Sequence, residues 1–258
     1  MKILILGGTG DALALIKGLQ GLPEFSTWVF VLSLAGRTRS QLPGNWQVRI
    51  GGFGGIGGLK DYLQTAPVDL LVDATHPFAD QISYQAWAAA DALAIPYLRL
   101  TRSPWQPEAG DRWIDVANHQ DAAAILSTLG QRIFLSIGRQ ELGSYAHLTS
   151  LWFLMRTVEQ PGATEVLPPG FILLDKGPFF APSERSLLQQ YAIEVVVSKN
   201  SGGAATYGKL AAARELQLPV VMIQRPNPPP GPGVDTVEKA IAWILQWNQS
   251  RSYKISKR

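Results

Sequence analysis

Short runs that are apolar at every position alternate with longer stretches of helical periodicity, and this alternation restricts the fold more than any other feature of the chain. Lys2–Leu6 is apolar and β-branched, Gly7-Gly8-Thr9-Gly10-Asp11 turns the chain, and residues 12–19 repeat their apolar positions at helical spacing. A strand that is apolar on both faces has to be covered on both faces. Helices between successive strands supply that cover, which predicts a parallel sheet rather than an antiparallel one with a wet side. The same reading places strands at 27–33, 48–50, 69–73 and 96–100, with helices at 58–64 and 78–94.

The rhythm breaks near residues 105–115, where proline, glycine and mixed charges interrupt it, and then resumes. Strands are predicted at 132–137, 152–158, 171–174, 194–198 and 219–224, and helices at 120–129, 183–191, 206–216 and 236–247. The proline-rich run 225–233 reads as a stiff loop, because proline fixes φ and removes a donor. The expected fold class is α/β: two Rossmann-like domains with mostly parallel sheets and an inter-domain cleft. A nucleotide-binding domain would span 1–115, a second domain 116–248, and a basic tail 249–258.

Composition agrees with a packed chain: 46% of residues are apolar and 17% charged, ample for a core and too apolar for disorder. With no cysteine, disulfides, thiolate metal sites and a cysteine nucleophile are excluded. No histidine cluster suggests a metal. The first residues have too short an apolar run for a secretory signal, and no stretch is apolar enough to span a membrane, so a cytoplasmic protein is expected. The net charge is +3, and residues 249–258 carry four basic and no acidic side chains, so the excess belongs to the tail. That tail reads as a frayed, solvated end and not as a nucleic-acid arm.

Ligands of such sheets bind beyond the carboxyl ends of the strands, so chemistry is sought there. Gly7, Gly8, Thr9 and Gly10 follow the first strand and open a helix; glycines let the backbone approach a phosphate, and the helix N-terminus offers N–H groups and partial positive charge. The match to G-x-G-x-x-G is imperfect, with Ala12 in effect taking the third glycine's place. The second strand ends Ser33-Leu34-Ala35-Gly36-Arg37-Thr38-Arg39. It lacks the carboxylate that would bind a ribose 2′-hydroxyl and offers arginines suited to a 2′-phosphate, which favours NADPH while leaving NADH possible.

Six glycines within residues 51–58 are more than a connecting loop needs and suggest close backbone approach to a flat ligand. Asp73-Ala74-Thr75-His76-Pro77 follows the fourth strand. Thr75 could cap the next helix or donate to a ligand. His76 could donate a proton, or bond a cofactor phosphate or a substrate carboxylate. His119 and His147 have no such setting. In the second half cations recur at strand ends: Arg139, Lys176, Lys199 and Arg225, with Lys209 nearby; their repetition suggests an acidic ligand.

Taken together these residues resemble the precorrin-6A reductase family, also found as the cobalt-precorrin-6A reductases of cobalamin biosynthesis. The matching pieces are Gly7-Gly8-Thr9-Gly10-Asp11-Ala12, Ser33-Leu34-Ala35-Gly36-Arg37-Thr38, the 51–58 loop, Asp73-Ala74-Thr75-His76-Pro77-Phe78-Ala79, Ile95-Pro96-Tyr97-Leu98-Arg99 with Arg102 and Trp105, Gly138-Arg139-Gln140-Glu141-Leu142, Lys199-Asn200-Ser201-Gly202-Gly203 and Lys209-Leu210-Ala211-Ala212-Ala213-Arg214. The resemblance implies NADPH and a polycarboxylate tetrapyrrole bound in the cleft, with hydride passing to one ring carbon and a proton to its neighbour. It implies that Gly8, Thr9, Ser33, Arg37 and Thr38 hold the cofactor and that Lys199, Ser201 and Gly202 face the cleft. Arg102, Arg139, Lys176 and Lys209 are the further candidates for substrate carboxylates, and Thr75 for the cofactor. The family often has Glu and then Ala-Arg where this chain has Asp11-Ala12-Leu13, and Asp where it has Asn200.

The rivals are another NADP-dependent reductase, an NADP-binding sensor without turnover, and a cofactor-free tetrapyrrole enzyme of the uroporphyrinogen-III synthase type. A short-chain dehydrogenase needs a Tyr-x-x-x-Lys pair, and that spacing occurs only at Tyr253 and Lys257, inside the basic tail. A sensor would need no second cationic half, and the cofactor-free type would need no phosphate loop. Oligomeric state, the cobalt content of the substrate and the proton donor are left open by the sequence.

Overall fold

The computed structural model describes residues 1–36 and 46–255, with side chains described as far as Arg251. It divides into two compact units: unit 1 is Met1–Arg102 with Pro226–Arg258, and unit 2 is Ser103–Arg225.

Unit 1 runs β1 (Lys2–Leu6), α1 (Gly10–Gln20), β2 (Val29–Leu34), β3 (Gln47–Ile50), α2 (Gly55–Thr65), β4 (Leu70–Asp73), α3 (Asp80–Ala92) and β5 (Tyr97–Leu100). Unit 2 follows with β6 (Arg112–Val116), α4 (His119–Leu126), β7 (Arg132–Ser136), β8 (Trp152–Thr157), β9 (Gly170–Leu174), α5 (Ala181–Gln190), β10 (Val195–Lys199), α6 (Gly208–Glu215) and β11 (Pro219–Ile223). The chain then returns to unit 1 as β12 (Gly233–Val234) and α7 (Val237–Ile255).

Each unit has a six-stranded sheet, ordered β12-β5-β4-β1-β2-β3 and β6-β11-β10-β7-β8-β9, and every pairing is parallel. This is the doubly wound Rossmann order, whose direction reverses beside β1 in unit 1 and beside β7 in unit 2. The outermost position breaks chain order in both. In unit 1 it is filled by a strand that arrives after unit 2, and in unit 2 by the strand that arrives first.

Alternation along β1 shows why the strands are apolar throughout. Ile3 and Ile5 pack with Leu15, Ile16 and Leu19 of α1 and with Ala240 and Ile244 of α7. Leu4 and Leu6 face the other way, onto Leu59 and Leu63 of α2 and Ala86, Ala89 and Ala90 of α3. Each fully buried Leu or Ile contributes about 1.5–3 kcal/mol. In unit 2, Phe134, Leu154, Val196 and Met222 pack under Leu188, Leu210 and Ala213.

Three expectations need correction. A boundary at residue 115 would cut through β6, which pairs residue for residue with β11; its Arg-Trp-Ile-Asp-Val sequence mixes exposed charges with half-buried apolar residues at a sheet edge and escapes a search for continuous apolar runs. The last helix belongs to unit 1, not to the second domain, because α7 packs on α1, and a side chain at Gly18 would strike Ile241 at 2.6 Å. The tail is not frayed through residue 255: α7 continues to Ile255, and Arg251 Nη1 meets Asp69 Oδ1 at 2.9 Å. Burial alone would raise the Asp69 carboxyl, but the Lys2 amide and the Arg251 guanidinium outweigh it and hold the carboxyl below its ordinary value. Among the described residues no helix is long and apolar enough to cross a membrane.

Candidate functional site

In unit 1 the direction reverses between β1 and β4, and there the glycine turn meets the segment after β4. Thr9 joins them: its hydroxyl donates to the Ala74 carbonyl at 2.7 Å and accepts from the Ala12 amide at 3.2 Å, capping α1. The Gly7 amide donates to the Ser33 carbonyl, and a Cβ on Gly7 would lie 2.4 Å from Leu32 Cδ1, so a side chain here would have to displace the end of Leu32. A Cβ on Gly8 or Gly10 would meet nothing within 4 Å. The turn therefore presents open backbone at the start of an 11-residue helix, a setting that fits a pyrophosphate.

Asp11 in the first turn of α1 would repel such an anion, but its carboxylate is paired with Arg102 Nη1 at 2.8 Å. The structure thus sets Arg102 beside the glycine turn, although the sequence suggests a substrate carboxylate for it. Ser33 is buried, and its hydroxyl accepts from Arg49 Nη1 at 3.3 Å. The Arg49 guanidinium also donates to the Gly51 and Gly52 carbonyls and lies 3.7 Å over the Phe53 ring. Arg49 thus ties the glycine loop to the end of β2. A lone cation within a strand gives no sequence signal for this. Gly54 caps α2 in the left-handed region, and a Cβ on Gly58 would overlap the Phe53 carbonyl, so part of the loop's glycine content has a conformational or packing cause. Arg37 and Thr38 lie outside the described residues.

Thr75 does not cap α3, whose cap is Ala79; its hydroxyl and amide donate to Asp73 Oδ1 at 2.7 and 3.1 Å. Asp73 is buried and also accepts from Tyr97. Burial, and next the adjacent Asp73 charge, push the Tyr97 hydroxyl far above its ordinary value. Half-buried His76 accepts the Phe78 amide at Nδ1, which places the proton of the neutral ring on Nε2. A separate depression of about 390 Å³ is lined by Arg99, Thr101, Asp235 and Lys239 at the ends of β5 and β12. There Arg99 donates to the Pro229 carbonyl and Lys239 pairs with Asp235, so both cations already have partners in the fold.

In unit 2 the reversal lies between β7 and β10, and it brings together groups far apart in sequence. Glu141, on a 3-10 helix (Arg139–Tyr145) after β7, stands 3.9 Å from Lys199 Nζ at the end of β10 and 3.9 Å from His119 Nε2 at the start of α4. His119 Nδ1 is 2.9 Å from the Tyr145 hydroxyl. With the proton on Nε2, the imidazole accepts from Tyr145 and turns its N–H toward Glu141. Burial, then the Lys199 charge, push His119 down to about 4 against the pull of Glu141. Burial lowers the Lys199 ammonium while Glu141 raises it, and the net shift is downward. Tyr145 is pushed up by burial and by the Glu141 charge. His119, which the sequence leaves without a strand-end setting like that of His76, comes beside Glu141 only through the folding of α4.

The remaining unit 2 candidates are dispersed. Arg139 turns to Glu159 at 3.5 Å, and Lys176 is exposed beyond β9, the edge strand. Lys209 is 2% exposed; its ammonium donates to the Thr206 carbonyl and lies 4.7 Å from the Trp105 ring centre. Ser201 is buried, with its amide on the Lys199 carbonyl at 2.7 Å. Gly202 has φ +67°, and a Cβ there would fall 2.1 Å from the Ser103 carbonyl and 2.7 Å from Arg225 Nη2. Asn200 accepts from the Trp105 amide and donates to the Trp105 carbonyl at 2.8 and 3.1 Å, a double contact that an ionised aspartate cannot make.

The family model described as precorrin-6x reductase CbiJ/CobK matches residues 2–245. A precorrin-6A reductase of Rhodococcus erythropolis is 47% identical over 94% of this chain and 97% of its own length. A cobalt-precorrin-6A reductase of Priestia megaterium is 30% identical over 97% of this chain and its own full length. A solved structure, CobK precorrin-6A reductase, superposes with a TM-score of 0.87 at 38% identity, covering 95% of this chain and 96% of that one.

Proposed function

Because the chain belongs to the precorrin-6x reductase CbiJ/CobK family, we propose that it reduces the precorrin-6A macrocycle, metal-free or loaded with cobalt, using NADPH in preference to NADH. The observation that carries the cofactor half is the open glycine turn at the β1–β4 reversal, braced by Thr9 and with the Asp11 carboxylate in the first turn of α1 paired to Arg102. The preference for the 2′-phosphate is supported by the absence of a carboxylate at the end of β2 and by Arg37 and Arg39 after it.

When bound, the dihydronicotinamide supplies a hydride. The chain's own residues supply placement. The Gly8 and Gly10 backbone, with the α1 N-terminus, receives the pyrophosphate. Ser33, held by Arg49, receives the adenosine side with Arg37 and Thr38. Lys199, at the corresponding reversal of unit 2, offers an ammonium to a substrate carboxylate. His76, with its proton on Nε2, offers an N–H to a ligand group; to serve as the acid that completes the reduction it would first take up a second proton at Nδ1 in place of the Phe78 amide contact.

The test follows NADPH absorbance with purified protein and precorrin-6A, with and without inserted cobalt, and repeats it with NADH. Oxidation of NADPH by one macrocycle, faster than that of NADH, is the expected result. Tight NADPH binding with no oxidation by either macrocycle would refute the reductase reading and leave an NADP sensor.

A further inference from the structure

The groups at the unit 2 reversal come from three elements: His119 opens α4, Glu141 and Tyr145 lie on the 3-10 helix after β7, and Lys199 ends β10. The side chains of His119 and Lys199 are 12% and 16% exposed, while Glu141 is 37% exposed. Two nitrogen groups shielded from water thus converge on one carboxylate that water reaches. A lysine losing this much hydration discharges unless an anion offsets the loss. Glu141 is placed to do so, yet at 3.9 Å it is too far to take up an ammonium proton in a short hydrogen bond. His119, bonded to Tyr145, adds no competing charge near neutral pH. Arg139, on the same 3-10 helix, is turned away to Glu159 and the Gln160 carbonyl.

We propose that Glu141 is a positioning residue of the reaction: it keeps the Lys199 side chain charged and directed beyond the end of β10, with the His119 imidazole and the Tyr145 hydroxyl bracing its other side. The inference deepens the reductase reading and rests on it for the identity of the group that Lys199 meets, a substrate carboxylate. Glu141 itself acts through Lys199. Loss of its charge lets Lys199 discharge at a lower pH, and the enzyme then loses grip on the macrocycle while the chemistry of the bound complex continues.

Two measurements separate the inference from the reading beneath it. In the ligand-free protein, the Lys199 titration is followed by NMR of its side-chain Cε–Hε pairs, assigned with Lys199→Arg. Glu141→Gln is expected to lower the Lys199 midpoint by about one pH unit, and Glu141→Asp to restore part of the shift. An unchanged midpoint in Glu141→Gln overturns the proposal, whatever the enzyme turns over. With NADPH and precorrin-6A, Glu141→Gln is expected to keep kcat within about threefold at saturation while the rise of the macrocycle KM with pH begins about one unit lower. A parallel fall in kcat with no movement of that rise also overturns it. If the wild-type protein turns over neither macrocycle, the substrate reading fails and the NMR midpoint decides the Glu141–Lys199 coupling by itself.

Discussion

Thr9 was read from the sequence as a cofactor contact, and the structure gives its hydroxyl a second occupation that can be measured without cofactor. The hydroxyl caps α1 through the Ala12 amide and bonds the Ala74 carbonyl beyond β4. Replacement of Thr9 by Ala removes both. Loss of an N-cap costs about 1 kcal/mol, and the 2.7 Å bond to Ala74 adds about 1 kcal/mol. A loss of about 2 kcal/mol corresponds to a fall in Tm of about 4–8 °C for a chain of this size. Thr9→Ser keeps both bonds and should melt close to wild type. Calorimetry of the ligand-free proteins, followed by NADPH titration, separates bracing from contact. A Thr9→Ala protein that melts within about 1 °C of wild type would refute the bracing argument, since an exposed side chain shifts stability by little.

Other expectations follow from named contacts. Gly202→Ala places a Cβ 2.1 Å from the Ser103 carbonyl at φ +67°, and should cost more than about 3 kcal/mol of stability, seen as a lower midpoint in urea. Arg102→Ala leaves the Asp11 carboxylate unpaired in the first turn of α1 and should weaken NADPH binding about fivefold at low salt, with Asp11→Asn in the same background restoring it. Burial holds His119 neutral, with its folded pKa pushed down to about 4 from the ordinary histidine value of about 6.5, so its contribution to stability is present above about pH 6.5 and lost as pH falls through 4; His119→Asn should flatten stability against pH in that window. Asp69 is held below its ordinary value, so the docking of the last turns of α7 should hold above the ordinary aspartate pKa of about 3.9 and be lost as pH falls further, a dependence that Asp69→Asn removes when followed by amide exchange.

The parts of the fold that were legible are those where one physical demand dominates. A parallel strand buried on both faces is apolar at every position, so β1, β4, β7 and β10 could be read directly, and their carboxyl ends led to Thr9, Thr75, Arg139 and Lys199. The edge strand β6 escaped because a half-exposed strand mixes charged residues with apolar ones and offers no continuous apolar run. Residues 233–234 escaped because only their pairing with Arg99 and Leu100 makes them a strand. The placement of α7 depended on which sheet its apolar face covers, and proximity in sequence pointed to the wrong one. The same limit applies to side chains. Type and strand-end position could mark Lys199, but the relation of Glu141 to His119 is set by where α4 comes to rest, and the commitment of Lys209 to Thr206 and Trp105 follows from burial that no spacing encodes.

The crowding at Gly202 also bears on how this chain reaches its native state. Arg99 bonds the Pro229 carbonyl across 130 residues, and closing so long a flexible loop is slow and entropically costly. Ser103 and Arg225, the first and last residues of unit 2, both crowd the same face of Gly202. Once unit 2 has collapsed around that glycine, residues 102 and 226 emerge side by side, and the remaining gap to β12 is only a few residues. The closure cost falls by about 3 kcal/mol. The packing of Ser103 and Arg225 against Gly202 thus shortens the loop that the pairing of β12 with β5 has to close.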